Sequence, residues 1–162
     1  MNFKNIILFG AMAFTFLLIN ACGESSIKEK INQEQEELRN EMFDKMMVIH
    51  DSLMHQMDII MEHKIWVKDE LERIQNGLKE VSEQRKRALN EVLKKLEAAD
   101  DGMMDWMRTQ SRRPADSLSQ DAFLDIIMKN TQGILSVQKQ FIEAFEMADS
   151  LREEYSDEGD EQ

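Results

Sequence analysis

The chain has 162 residues, with 20 basic against 32 acidic side chains and a formal charge of −12. That balance argues against nucleic acid or anionic headgroups as partners, because it sets repulsion where such binding needs Lys and Arg. One proline and six glycines among abundant Glu, Lys, Leu, Met, Gln and Ala argue against a strand-built fold and for an all-α protein, and no stretch alternates apolar and polar residues as a strand would.

The first segment reads as a secretory signal. Lys4 supplies a positive start, and Ile6 to Leu18 is almost purely apolar but shorter than a full membrane span. Leu18-Ile19-Asn20-Ala21-Cys22 then has the form of a bacterial lipobox, with small Ala21 before the single cysteine. In that pattern the thiol of Cys22 is diacylated, the chain is cut before it, and the new amine is acylated. More than one acyl chain makes a stable anchor, since each buried CH2 adds roughly 0.8 kcal/mol. Loss of residues 1–21 removes one Lys and no acid, so the mature charge is −13. With Cys22 committed to lipid, no disulfide forms and stability rests on an ordinary core. Gly23 carries no obvious inner-membrane retention signal. The expected location is therefore the cell envelope, lipid-anchored at the outer membrane and facing the periplasm.

Ser26-Ile27-Lys28-Glu29 has the form of a capping box and predicts a helix start. The pattern runs to about Ile74 with a seam of Met46, His50, Leu53, Met57, Ile60, Lys64, Val67, Leu71, Ile74 and Leu78. Asn76-Gly77 is the stop signal, because Gly takes the left-handed conformation that closes helices. A second helix carries Val81, Ala88, Leu89, Val92, Leu96, Ala99, Met103 and Trp106, and the segment ending in Pro114 breaks it. Ser117-Leu118-Ser119-Gln120 predicts the start of a third helix, which displays Phe123, Ile127, Ile134, Phe141, Phe145, Ala148 and Leu151. Residues 153–162 are acidic and predict a disordered tail.

Short connections make consecutive helices antiparallel. A hairpin at Asn76-Gly77 sets residue 42 opposite residue 112 and residue 50 opposite residue 104. Residues before Met42 then have no partner, and 27–41 hold only Ile27, Ile31 and Leu38 as apolar side chains. The predicted architecture is all-α. A lipidated helical stalk over 22–41 carries an antiparallel three-helix bundle over 42–152, after a cleaved signal peptide over 1–21. About 15 stalk residues hold the bundle roughly 20 Å from the membrane, at about 1.5 Å per residue. Self-pairing of the stalk in a homodimer is the rival arrangement, so the oligomeric state stays open.

Nine of the eleven methionines left after cleavage fall in two stretches: Met42, Met46, Met47, Met54, Met57 and Met61, then Met103, Met104 and Met107. At about 100° per residue, Met46, Met54, Met57 and Met61 project within about 40° of His50. The hairpin register brings Met103, Trp106 and Met107 to the same level, joined by Phe123 and Met128. One thioether-rich layer results, flanked by Asp51, Asp100, Asp101 and Asp105. It has three readings: core packing with sulfur–aromatic contacts, an adaptable groove for a partner helix, or a Cu(I) site. The metal reading uses His50, Met46, Met54, Met57, Met103 and Met107 as soft ligands, with Trp106 closing the site by a cation–π contact.

His50 on an apolar seam suits a hydrogen-bonded core histidine, with Asp51, Asp100 or Asp105 as partners. His55 and His63 point away from it and are expected at the surface. Gly102 within a helical pattern suggests close helix contact. No triad with an elbow motif, Gly-rich phosphate loop or redox cysteine pair is present. Nor do paired Glu-x-x-His motifs of di-iron bundles occur. Catalysis and a resident cofactor are therefore not expected.

The run Met46-Met47-Val48-Ile49-His50-Asp51-Ser52-Leu53-Met54-His55-Gln56-Met57 resembles the Met-x-x-His-Asp-x-x-Met core of a group of small Met-rich helical lipoproteins of the Bacteroidetes lineage, often labelled "viral A-type inclusion protein". Leu96 to Met107 resembles that group's second signature, with Gly102 where Ala is expected. The resemblance implies a helical envelope lipoprotein and no particular activity. The function expected is a non-catalytic scaffold or partner-binding module held at the bilayer by acylated Cys22, and the partner is an envelope protein.

Overall fold

The computed structural model describes residues 3–157, with side chains over residues 26–155. All regular structure among the described residues is helical: α1 (Phe3–Met54), α2 (Met57–Gln75), α3 (Glu83–Thr109) and α4 (Gln120–Asp157). The predicted signal peptide and Cys22 lie outside the described side chains, and 158–162 lie outside the described residues. Among the described residues no helix is long and apolar enough to cross a membrane. Two compact units divide the chain, Met1–Glu41 and Met42–Gln162. In the first, Ile27, Ile31 and Leu38 are exposed. No helix starts at Ser26, because α1 already runs through it from Phe3. A capping box supports a start but does not stop a preceding helix, which takes Pro or a left-handed Gly.

The single first helix expected up to about Ile74 is divided at His55 and Gln56. Gln56 N–H donates to Leu53 O (2.9 Å), an i→i−3 bond, and both Ile59 and Ile60 N–H then donate to Gln56 O. His55 Nδ1 lies 2.6 Å from Asp51 O, which already accepts from the His55 main-chain N–H. A side chain has entered the helical ladder, and the turn tightens locally.

α2 ends as the Asn76-Gly77 signal predicts. Gly77 has φ +70, Gly77 N–H donates to Ile74 O and Leu78 N–H to Arg73 O, which is the Schellman pattern. The second helix does not follow at once. Val81 remains in the connection, and α3 opens at Ser82, whose hydroxyl accepts from Arg85 N–H (3.2 Å). This longer connection shifts the register. The ion pairs Lys64–Asp100 (2.5 Å) and Lys68–Glu97 (3.3 Å) are centred on Ser82, so residue 64 faces residue 100. Along α2 the hairpin centre thus lies about five residues beyond Asn76-Gly77, whereas at the α1 end His50 meets Trp106 and Phe43 meets Arg113, within about one residue of the expected register.

The cap of α4 also moves. Ser119, not Ser117, accepts from Ala122 N–H (3.3 Å), because Ala115–Leu118 forms a turn closed by Leu118 N–H on Ala115 O. At the other end α4 continues to Asp157, into the segment expected to be disordered. Tyr155 holds it there, edge-on to Trp66 at 5.6 Å with Lys79 4.1 Å over its ring.

The second unit is a helical bundle. Its core takes Met46, Leu53, Ile60 and Val67 at seven-residue spacing, Leu89, Leu96, Ala99, Met103 and Trp106 from α3, and Phe123, Ile127, Ile134 and Phe141 from α4. α3 packs along both α2 and α4, whereas α2 and α4 meet only over a short stretch. Lys95 joins α3 to Glu143 of α4 at 2.9 Å. The Lys95 hydrogen bond and charge, with Lys139 in addition, hold the exposed Glu143 carboxyl below the usual carboxylate range.

Candidate functional site

The expected Met/His layer forms in part. His50 meets Trp106 with ring centroids 5.5 Å apart, and its Nδ1 is 2.8 Å from Asp51 Oδ1. Trp106 is 2 % exposed and its Nε1–H donates to Asn130 O of α4 (2.8 Å), while Asn130 Nδ2 donates to Gln110 O (2.8 Å). Those two bonds tie the end of α3 to the first third of α4 and fix the indole plane. Met46, Met103 and Phe123 are fully buried, and Met42, Met47, Met57 and Met107 are half-buried against the core.

Met54, Met61, Met104 and Met128 are exposed. The stripe within about 40° of His50 therefore does not all enter the layer. The core is centred between Ile60 and His63, on the other side of His50, so Met54 and Met61 fall on the outer flank. On α4 it is Ile127, not Met128, that turns inward. Asp100 is engaged by Lys64 and Asp105 by Arg108, which leaves Asp51 as the carboxylate on His50. Among the described residues no three His, Cys, Asp or Glu side chains come together as a metal-binding group.

Of the other histidines, His55 is exposed as expected and His63 is not. His63 is 5 % exposed, with Phe145 at 5.9 Å and Asp149 Oδ1 3.5 Å from its Nε2. Its buried Nδ1 has no hydrogen-bond partner. It enters the core because α4 covers a second face of α2, the one carrying His63 and Glu70. Glu70 is buried too and accepts from Arg73 (3.0 Å) and Lys79 (2.8 Å). Polar types at both positions hid this face from a reading based on apolar seams.

A further feature escaped the sequence reading. Along α4 the doublets Ile127-Met128, Ile134-Leu135 and Phe141-Ile142 recur every seven residues. Their first members are fully buried; their second members are 51, 45 and 51 % exposed. An apolar strip thus runs down the outside of α4 beside the core strip. Val48 of α1 and Ile59 of α2 are exposed as well. Doublets at heptad spacing were the available signal, since only one member of each can face the same core.

No family model matches this chain, and neither a curated protein nor a solved structure matches it.

Proposed function

We propose that this chain is an envelope lipoprotein that works by binding a protein partner and not by catalysis. Acylated Cys22 anchors it, a helical stalk over 22–41 follows, and residues 42–152 form an antiparallel three-helix bundle. What supports the binding role is the uncovered apolar strip of Met128, Leu135 and Ile142. Large apolar side chains left in water at regular spacing mark an interaction surface. The lipobox supports the anchor, and the resemblance to Met-rich Bacteroidetes lipoproteins belongs to the same reading, with the outer membrane as the location. Changing Cys22 to Ser leaves a precursor that no longer takes up labelled palmitate; full incorporation in that variant would remove the anchor. Photo-crosslinkers placed on the bundle in intact cells test the binding role, and a surface that yields no protein adduct anywhere would end it.

The second reading is a Cu(I) site on His50, Met46, Met54, Met57, Met103 and Met107 with Trp106. It draws on the 5.5 Å approach of His50 to Trp106 beside buried Met46 and Met103. Under the leading reading, changing Met54, Met57 and Met103 to Leu leaves anaerobic competition for Cu(I) unchanged. It also costs under about 1.5 kcal/mol per swap, because the volumes match. Copper affinity that collapses in that variant, together with loss of metal-induced Trp106 quenching, would favour the metal instead.

A further inference from the structure

One side of the bundle is open. α2 and α4 touch around His63–Phe145 and Trp66–Tyr155, and residue numbers rise together between the two contacts, so these helices run in parallel. Ile59, one turn before His63, therefore stands level with Ile142, one turn before Phe145. Two turns earlier, Ser52 is level with Leu135. Gly133, Val137 and Gln140 face α3, where a Cβ on Gly102 would meet Gln140 and Val137 and one on Gly133 would meet Trp106. Met128, Leu135 and Ile142 lie on the flank turned away from those residues, at about 100° per residue. Ile59 and Val48 lie on the matching flank of α2 and α1. The result is a shallow groove between α1/α2 and α4, apolar along its walls and closed at one end by Trp66 and Tyr155.

The rims of this groove are acidic. Glu62 stands on α2 and Glu146 and Asp149 on α4, all three exposed, against the ammonium groups of Lys45 and Lys139. Arg152 is folded onto the Trp66 ring at 5.6 Å, at the closed end. We propose that the groove takes one amphipathic helix of a partner protein, with Lys and Arg flanking its apolar stripe. This deepens the partner-binding reading and rests on it. Met128 to Ile142 spans about 21 Å at 1.5 Å per residue, enough for roughly four helical turns. A second copy of this chain is a poor occupant. Its charge is −12, and its exposed Ile27, Ile31 and Leu38 lie in a stretch, 26–41, with five acidic residues against three basic ones, so it would set carboxylates against carboxylates.

The test uses the full lipidated chain in phosphatidylcholine nanodiscs and two labelled peptides of about eighteen residues. Both carry Leu along one helical stripe; one has Lys beside it and the other Glu. Anisotropy corrected for empty nanodiscs should show the Lys peptide binding about ten-fold tighter or better, a gap of about 1.4 kcal/mol. Leu135→Gln with Ile142→Gln should weaken it by a similar factor, and Glu62→Gln with Glu146→Gln should flatten its salt dependence. The second pair is exposed and leaves the core intact, so it decides the matter even if the first pair unfolds. Equal affinity for both peptides overturns the proposal, as does a salt response unchanged in the rim variant. A chain dimer dispersed by the Leu135 and Ile142 changes overturns it too, by giving the groove to a second copy. Photo-crosslinkers at Leu135 and at Ile65, on the far flank of α2, separate this idea from its parent. Adducts at Ile65 alone remove the groove and keep partner binding, whereas adducts at neither remove both.

Discussion

Changing Trp106 to Ala should lower the stability of the bundle by about 3–5 kcal/mol, the range for a fully buried large aromatic. For a unit of this size that is a drop of roughly 10–20 °C in Tm. The cost is high because three supports end together. The indole is 2 % exposed, its N–H bonds Asn130 O across to α4, and its face receives His50. Trp106→Phe keeps most of the volume and loses the hydrogen bond, so it should cost only about 1–2 kcal/mol. Asn130 O sits within a helix and retains its own ladder, which keeps that second figure small. Urea melts followed by far-UV circular dichroism measure both. A Trp106→Ala loss below about 1 kcal/mol would mean that α3 and α4 are held elsewhere.

Gly133→Ala should also destabilise, by about 1–3 kcal/mol, although Ala is the better helix former. A Cβ there would run into Gln110 Oε1 and stand 3.0 Å from Trp106 Cδ1. The Gln110 amide can swing away; the indole cannot, because Asn130 and the surrounding core hold it. Gly102 makes the contrast. Its Cβ would meet Gln140 Oε1 at 2.6 Å, with Gln140 Cδ at 3.6 Å and Val137 Cγ2 at 3.7 Å next nearest, and that Gln140 oxygen is buried without a hydrogen-bond partner. Displacing it costs little, so Gly102→Ala should gain up to about 1 kcal/mol of helix propensity. Thermal melts of the two variants should move in opposite directions. Coupling is the finer check: in a Trp106→Phe background the Gly133→Ala penalty should shrink, because the smaller ring relieves the contact. Two alanine variants that both stabilise would show that α3 and α4 sit farther apart than described.

Several local features were legible because their causes are local. Gly77 takes positive φ two residues past the end of α2, just after the cap residue Asn76, and Asn76-Gly77 announced it. The seam of Met46, Leu53, Ile60 and Val67 is the buried seam, since seven-residue spacing repeats one face. Other features were hidden because a second helix decides them. His63 read as a surface residue at its angle from His50, but α4 covers that side of α2. The break at His55–Gln56 gave no Pro or Gly signal, for it depends on a histidine ring reaching the Asp51 carbonyl. Half of the methionine stripe faces water because angular nearness to His50 does not say where the core's centre lies.

By itself the sequence determined the all-helical class, the end of α2 and the seam of the core, because propensity, capping and periodicity act within a few turns. Only the tertiary structure decided the register and the open face. Register follows from where a chain resumes its helix after a connection, and Ser82 set that point through its hydroxyl, which accepts from the Arg85 main-chain N–H. The open face follows from α3 packing on both neighbours while α2 and α4 meet only over a short stretch. No residue's own preferences fix how far two helices stand apart; the side chains between them do.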